Sequence, residues 1–494
     1  MQPRPGQRPA KNSASPRPSQ RPQIGEQPVP RTPDTARDAV CLRLSQQAAV
    51  FPDFAPEGVD ESGLYARDAA FAHAIYDAAI RRWSTLMTII RSRLDKPTQP
   101  LPTTASAALL SAAAQVLLLD KVPAHAAINH SVEWAKRAAW VSGTKGAGVG
   151  GLVNAISRRI AELAAASVYQ QDYTGGHDEM PLDSGGCLKL PAPVFRGDAM
   201  ERLAAATGVP LGILNEWSRQ HGPETATKLA LHCLVRPPTV LLTKHAKGET
   251  LESSSLTRHD SLDHRVWRGE RSVLSAFLGT DKGMWVQDSA ASRGVEAARE
   301  SAAKRGSMPK VVVDLCAGQG TKTRQLAAEF PEADIIATDT DSRRVGVLRT
   351  ATAHLPKVKV VRADELSAAV AAVGGANLVL ADVPCSNSGT LARRSEAKYR
   401  LGPDQLARLA GIQKEIVRFS KGLLASDGVL LYSTCSIDPM ENHAIAAWAE
   451  NELGLKILDE ELTLPKGLPG GEVSGYADGS YWALMAAHTT INEP

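Results

Sequence analysis

Two cysteines carry the reactive potential of this sequence. Cys435 stands in Thr434-Cys435-Ser436, directly after an apolar run from Gly428 to Ser433 that reads as a short buried strand. Asp438, Pro439, Glu441 and Asn442 follow, the acidic and amide groups expected where a helix opens. Cys385 stands in Ala381-Asp382-Val383-Pro384-Cys385-Ser386, again behind an apolar run that starts at Asn377. A thiol at the carboxyl end of a parallel strand sits where open α/β sheets bind ligands. Two such thiols at strand ends would meet over one pocket, where a thiolate is a nucleophile. Taken singly, either cysteine reads equally well as a small buried hydrophobe. A glycine-containing loop upstream weights the pair toward chemistry.

That loop begins at Asp314, the end of another apolar run, and continues Leu315-Cys316-Ala317-Gly318-Gln319-Gly320-Thr321-Lys322-Thr323. A Walker A loop ending in Lys322-Thr323 needs glycines where Cys316 and Thr321 stand, so that pattern fails. The dinucleotide pattern starting at Gly318 needs a third glycine where Thr323 stands, and fails too. What remains is a two-glycine turn into a helix N-terminus, with acids closing the later strands: Asp339, Asp364 and Asp382. Asp339 is placed to accept from ribose hydroxyls, and Asp364 to hold an adenine amine. With no phosphate clamp, the set suits S-adenosylmethionine. The alternative is an ordinary α/β turn whose acids serve as helix caps.

The elements that must position these groups alternate. Strands at 311–315, 335–338, 358–362, 377–381 and 429–433 are mostly separated by helical patterns, which predicts an α/β fold with a doubly wound, mostly parallel sheet over 301–494. Ahead of it, 207–300 reads as a small α/β subdomain, with helices at 210–220 and 224–234 and strands at 240–243 and 283–287. Residues 171–206 are rich in Gly, Asp and Pro and read as a linker. Residues 36–170 show helical spacing and predict a bundle of four to six helices, with the glycines from 146 to 151 as a loop. His125 and His130 there read as packing or surface residues. Residues 1–35, rich in Pro, Arg, Gln and Ser, read as a disordered basic tail, suited to RNA phosphates or simply to solubility.

The composition sets bounds. The chain has 494 residues, 43% hydrophobic and 22% charged, with a formal net charge of +3, so any nucleic-acid binding must come from local patches. Six cysteines without a CxxC argue against a disulfide framework or a zinc ribbon, and free thiols fit a reducing compartment. The longest strongly apolar stretch, 105–119, is too short to span a bilayer, and the N-terminus lacks the apolar core of a signal peptide. The expectation is a cytoplasmic enzyme with no membrane partner and no metal.

Together these motifs resemble the RNA cytosine-5 methyltransferase family. The loop from Asp314 to Thr323 resembles the family's Asp-x-Cys-Ala-x-Pro-Gly-Gly-Lys-Thr, departing from it at Gln319, where the family has proline, and at Thr321, where it has a second glycine. Asp382 to Ser386, with Gly389 and Arg393-Arg394, resembles its Asp-Ala-Pro-Cys-Ser motif and following arginines. Thr434 to Ser436, with Glu441-Asn442, resembles its Thr-Cys-Ser…Glu-Asn motif. Gln287-Asp288 and Asp478-Gly479-Ser480-Tyr481 are weaker matches. The helical part, ending in Gly151-Leu152-Val153-Asn154, is similar to the NusB-like RNA-binding domain fused to bacterial small-subunit ribosomal RNA enzymes of this family.

The resemblance implies a Rossmann-like class I methyltransferase domain behind a NusB-like domain, a monomer that uses S-adenosylmethionine to methylate carbon 5 of a cytosine in RNA, 16S ribosomal RNA above all. Cofactor contacts then fall to Cys316, Ala317, Gly318, Gln319, Gly320, Thr321, Lys322, Asp339, Asp364 and Asp382. The catalytic residues are Cys435, which adds to carbon 6, Asp382, which holds the N3/N4 edge of the flipped base, and Cys385, which serves release. Arg393, Arg394, Lys398 and Arg400 form a basic run suited to RNA phosphates, or else a solvated charged face. Two alternatives stay open. DNA cytosine-5 methyltransferases use the cysteine of a Pro-Cys motif as nucleophile, here Cys385. An RNA-binding assembly or antitermination factor without catalysis would tolerate Gln319 and Thr321.

Overall fold

The computed structural model describes residues 35–141 and 146–487; the basic tail falls outside the described residues, apart from Thr35, which caps the first helix. The C-terminal part is built on a seven-stranded sheet: β1 (Val311–Asp314), β2 (Asp334–Ala337), β3 (Val358–Val360), β4 (Ala376–Asp382), β5 (Leu424–Thr434), β6 (Leu455–Thr463) and β7 (Ser480–Ala487). Its order is β3-β2-β1-β4-β5-β7-β6. The first five strands pair in parallel, while β7 runs antiparallel to both β5 and β6. The alternating pattern foresaw the five parallel strands but not the β6–β7 hairpin partner, whose charged β6 segment Asp459-Glu460-Glu461 hides its strand character.

The sheet is covered on both faces, which is why its central strands read as continuous apolar runs. Successive residues split between the two layers. Val312, Leu378, Leu380, Val429 and Leu431 pack against helices Ser289–Lys304 and Thr321–Glu329. Val313, Val379, Ala381, Leu430 and Tyr432 pack against helices Leu366–Ala371, Pro403–Lys421 and His443–Leu453. Helix Ser289–Lys304 therefore belongs to this layer, and the sheet domain begins ahead of the boundary at 301.

Among the described residues the front part is a bundle of six helices, from Ala36–Val50 to Gly146–Ala165. Two readings change here. The glycines at 146–151 do not form a loop; they lie in the helix Gly146–Ala165. A Cβ on Gly146 would stand 2.7 Å from the Lys136 carbonyl and one on Gly150 2.6 Å from the Lys136 side chain, so these glycines let two helices approach closely. Residues 171–206 are not a linker. They hold two strands of a three-stranded antiparallel sheet (Val168–Gln170, Glu179–Pro181, Cys187–Lys189) and the helix Ala199–Thr207, which opens with an Asp198–Glu201 capping box. Met180, Leu190, Val194 and Phe195 bury into the bundle core, so apolar contacts hold a segment whose composition suggests a loop.

Residues 211–286 supply the helices Leu211–His221 and Pro223–His232 and a four-stranded antiparallel sheet. The bundle docks on the sheet domain through a buried seam. Phe54, Trp83 and Tyr399 meet edge-on, with ring centroids 4.8 and 5.1 Å apart. Arg81 Nη1 donates to the carbonyls of Ala392 at 2.6 Å and of Cys233 and Val235 at 3.2 Å. Burying each such aromatic stabilises by about 1.5–3 kcal/mol.

Candidate active site

Asp382, the last residue of β4, lies opposite Ser433 of β5, so the segments beyond both strands leave the sheet side by side. The order of the sheet reverses between β1 and β4, which opens the crevice where such sheets bind ligands. Cys385 and Cys435 meet there, with their sulfurs 3.2 Å apart. Both segments are tied down from behind. Glu441 Oε1 accepts from Ser386 N at 2.9 Å and from Gln413 Nε2 at 3.0 Å. Asn442 accepts from Thr434 Oγ1 at 2.7 Å and donates to Ser436 O at 2.9 Å. Gly389 N donates to the Cys435 carbonyl at 2.9 Å, and Gly479 N to the Gly389 carbonyl at 2.7 Å. A Cβ on Gly389 would stand 2.5 Å from Gly479 O, so this three-layer backbone contact requires glycine.

Lys322 reaches over from the helix after β1. Its Nζ lies 2.6 Å from Asp382 Oδ1 and 3.4 Å from Ser433 Oγ. Burial alone would push this ammonium down, but Asp382 and Cys435 outweigh it and hold it above its ordinary range. The two thiols are driven apart. The hydrogen bond shared with Cys435 raises Cys385 far above a free thiol, and burial acts in the same direction. The same hydrogen bond, aided by Lys322, lowers Cys435 against the opposing effects of burial and Asp382. Of the two thiols, Cys435 is the one held lower.

The crevice widens into a cleft of about 680 Å³ lined by Asp314, Cys316, Ala317, Gly318, Gln319, Thr321, Lys322, Asp339 and Asp382 together with both cysteines. Gly320 stands behind this wall, with φ +87°, at the N-cap of helix Thr321–Glu329. Asp339 accepts from Gly318 N at 3.0 Å and Asp341 N at 2.9 Å, and each oxygen keeps a second lone pair. Burial lifts the Cys316 thiol to about 12, so it lines the cleft as a neutral group. Asp364 departs from expectation. It is exposed, lies outside the cleft lining and is engaged by Arg362 at 3.0 Å, because β3 ends at Val360, before Asp364.

The basic run also divides. Arg394 and Arg400 line the cleft. Lys398 is fully buried and donates to Arg81 O at 2.6 Å, holding the bundle rather than facing solvent. Arg393 is clamped between Asp478 at 2.6 Å and Asp288 at 3.2 Å. Two weak motif matches thus converge on one arginine, which fixes the segment between the cleft and Gly479.

Sequence reasoning missed three site residues. In the sequence Asp314 reads only as a strand-end acid. Its Oδ2 accepts from Thr323 Oγ1 at 2.6 Å, its Oδ1 is buried without a partner among the described residues, and burial raises the carboxyl to about 7. Asn387 touches both cysteines, yet an asparagine before Ser388-Gly389 reads only as a turn residue. Pro56 reaches the cleft from the helical bundle, and no local pattern signals so distant a contact.

Comparison with known proteins adds independent findings. Residues 306–468 match the family described as 16S rRNA methyltransferase RsmB/F, and residues 45–162 match the NusB family. The probable ribosomal RNA small subunit methyltransferase B of Bacillus subtilis (strain 168) is 26% identical over 365 residues, 72% of this chain and 73% of that protein. The ribosomal RNA small subunit methyltransferase B of Vibrio cholerae is 25% identical over 433 residues, 85% of this chain and 90% of that one. The solved structure of PH0851 shares the fold, with a TM-score of 0.61 at 19% identity over 91% of this chain and 98% of that one. Among the described residues no helix is long and apolar enough to cross a membrane, and no cluster of His, Cys, Asp and Glu could hold a metal ion.

Proposed function

We propose, for a chain that belongs to the RsmB/F family of 16S rRNA methyltransferases and carries a NusB-family domain ahead of its catalytic one, that it methylates carbon 5 of a cytosine in small-subunit ribosomal RNA through a covalent bond from Cys435. The observation that carries the reading is the paired sulfurs of Cys385 and Cys435, 3.2 Å apart beside the Lys322–Asp382 ion pair.

The cleft suits S-adenosylmethionine. That molecule bears two positive charges, and Asp314, Asp339 and Asp382 line the wall. The unpartnered Asp314 Oδ1 is a ready acceptor for an ammonium group. Asp339 is left for ribose hydroxyls, with Gly318 allowing close backbone approach. When bound, S-adenosylmethionine supplies an electrophilic methyl carbon.

The chain's residues do the rest. Carbon 5 of cytosine is a poor nucleophile. A Cys435 thiolate adding to carbon 6 turns the ring into an enamine and makes carbon 5 reactive. Lys322 and the thiol of Cys385 stabilise that thiolate. Asp382 accepts at the N3/N4 edge of the flipped base, which favours the protonated ring and excludes uracil. Once carbon 5 carries the methyl group it must lose its proton, and the carbon–sulfur bond must break. Cys385, protonated beside the leaving sulfur, is assigned to that release: its thiol proton passes to the Cys435 sulfur and its own sulfur takes the proton from carbon 5, so the C5–H electrons restore the ring double bond as the carbon–sulfur bond breaks. Arg394 and Arg400 offer charge to the backbone of the RNA strand.

The test is substitution, read on denaturing gels with unmethylated 16S rRNA. Cys435→Ala should form no protein–RNA adduct, and Cys385→Ala should accumulate one. An adduct that survives in Cys435→Ala would transfer the nucleophile's role to Cys385. Bisulfite mapping of the product identifies the cytosine.

A further inference from the structure

Asn387 is the single non-glycine residue with a positive φ, +62°, among the described residues. Asparagine tolerates this conformation better than most side chains, and an outlier at a site asks for a reason. The backbone bend folds the carboxamide back between the two cysteines. Asn387 Nδ2 donates to the Cys385 carbonyl at 3.1 Å, and Oδ1 lies 3.3 Å from Cys435 Sγ. A carbonyl can only accept, so the amide nitrogen must face Cys385 and the amide oxygen must face the sulfur. An oxygen acceptor there pairs with a protonated thiol and opposes a thiolate. The resting hydrogen bonds thus run in one direction, from the Cys385 thiol to the Cys435 sulfur and from the Cys435 thiol to Asn387.

We propose that Asn387 is a positioning residue for the nucleophile, its carboxamide oxygen holding the Cys435 sulfhydryl as a hydrogen-bond donor until the target base enters the cleft. Asn387 itself lines that cleft, so an arriving base displaces or rotates its amide and frees the sulfur. The device keeps the nucleophile capped in the free enzyme, against the pull of its other neighbours. Those are Lys322 on the helix after β1, Cys385 and Thr390; Asp382 at the end of β4 and the burial of the sulfur act in the same direction as Asn387, and Glu441 stands behind Cys385. The inference rests on Cys435 being the nucleophile.

The experiment measures the rate of Cys435 alkylation by iodoacetamide against pH, by peptide mass spectrometry, in the full chain without RNA. Asn387→Gly keeps the backbone bend and removes the acceptor. Its alkylation midpoint should move to lower pH, with roughly threefold to tenfold more reaction at neutral pH, the scale of one hydrogen bond. Asn387→Asp keeps shape and bend but places a carboxylate at the sulfur, so its midpoint should move to higher pH. A purely structural role would not move the two variants in opposite directions. Unchanged midpoints, or shifts of the same sign, would overturn the proposal. The Cys385→Ala adduct assay separates the underlying reading: an adduct at Cys435 alongside unchanged midpoints removes only the role of Asn387, whereas an adduct elsewhere removes the nucleophile itself.

Discussion

The Lys398 ammonium, thirteen residues past Cys385, donates to the backbone carbonyl of Arg81 in the helical bundle across 2.6 Å. A lysine fully enclosed at a seam between two domains ties the segment behind the paired cysteines to the front of the chain.

Burial pushes Lys398 down to about 7 from its ordinary 10.5. Between those values the unfolded chain binds the proton and the folded chain does not, so this group makes stability rise with pH across that window. Lys398→Met should flatten the rise. Melting temperatures at pH 7 and pH 9.5 should lie closer together in the variant than in the parent, and equal differences would refute the assignment.

Arg81 spends its buried guanidinium on three carbonyls from two other parts of the chain. Arg81→Ala strands all three and should cost about 3 kcal/mol or more. Limited proteolysis should then release the bundle from the rest of the chain, while the parent should resist that cleavage.

Lys322 bears on both Asp382 and Cys435. Lys322→Met removes the positive charge that helps lower the Cys435 thiol, so the acid limb of the pH–rate profile should move to higher pH. Turnover near neutral pH should fall by about 100-fold or more, the scale of losing one well-placed catalytic group. Single-turnover methylation across pH checks both.

Burial pushes the Asp314 carboxyl up to about 7, above the ordinary carboxyl range. Its carboxylate forms as pH rises through that value, so affinity for S-adenosylmethionine should strengthen from pH 6 to pH 8. Calorimetric titration should show the dependence in the parent and its loss in Asp314→Asn.

A methyl group on Gly479 would lie 2.7 Å from Ile437 Cγ2 and 2.9 Å from Gly389 Cα. Gly479→Ala should therefore displace the turn at Gly389 that holds the Cys435 carbonyl. Adduct formation should slow by roughly tenfold while cofactor affinity holds, since a small misplacement of a reacting group is enough.

Much of this architecture was legible because its signals are local. Apolar runs closed by acids located β1 and β4, an apolar run behind a glycine located β5, and the cysteines that follow β4 and β5 had to converge once those strands lay adjacent. Signals failed where tertiary contacts override composition. Residues 171–206 look like a linker, yet Met180 and Phe195 are buried in the bundle. The glycines at 146 and 150 look like a loop, yet they are absorbed by close helix packing. The run from Arg393 to Arg400 is uniformly basic in one dimension. In space Lys398 is enclosed, Arg393 is held by two acids, and only Arg394 and Arg400 border the cleft. Periodicity carries no trace of partners such as Arg81 or Pro56, which lie hundreds of positions away.

The wall that includes Pro56 has a consequence for how this enzyme can change. Gln47 grips Ala55 through both its amide atoms, Arg43 holds Glu57 O at 2.8 Å, and Arg400 holds Phe54 O at 2.9 Å, so the bundle's edge is a fixed rim on the doorway to the sulfurs. A front half exchanged with that of a relative would bring a different rim. The two halves are not interchangeable cassettes, and drift in one must be answered in the other for the doorway to keep its shape.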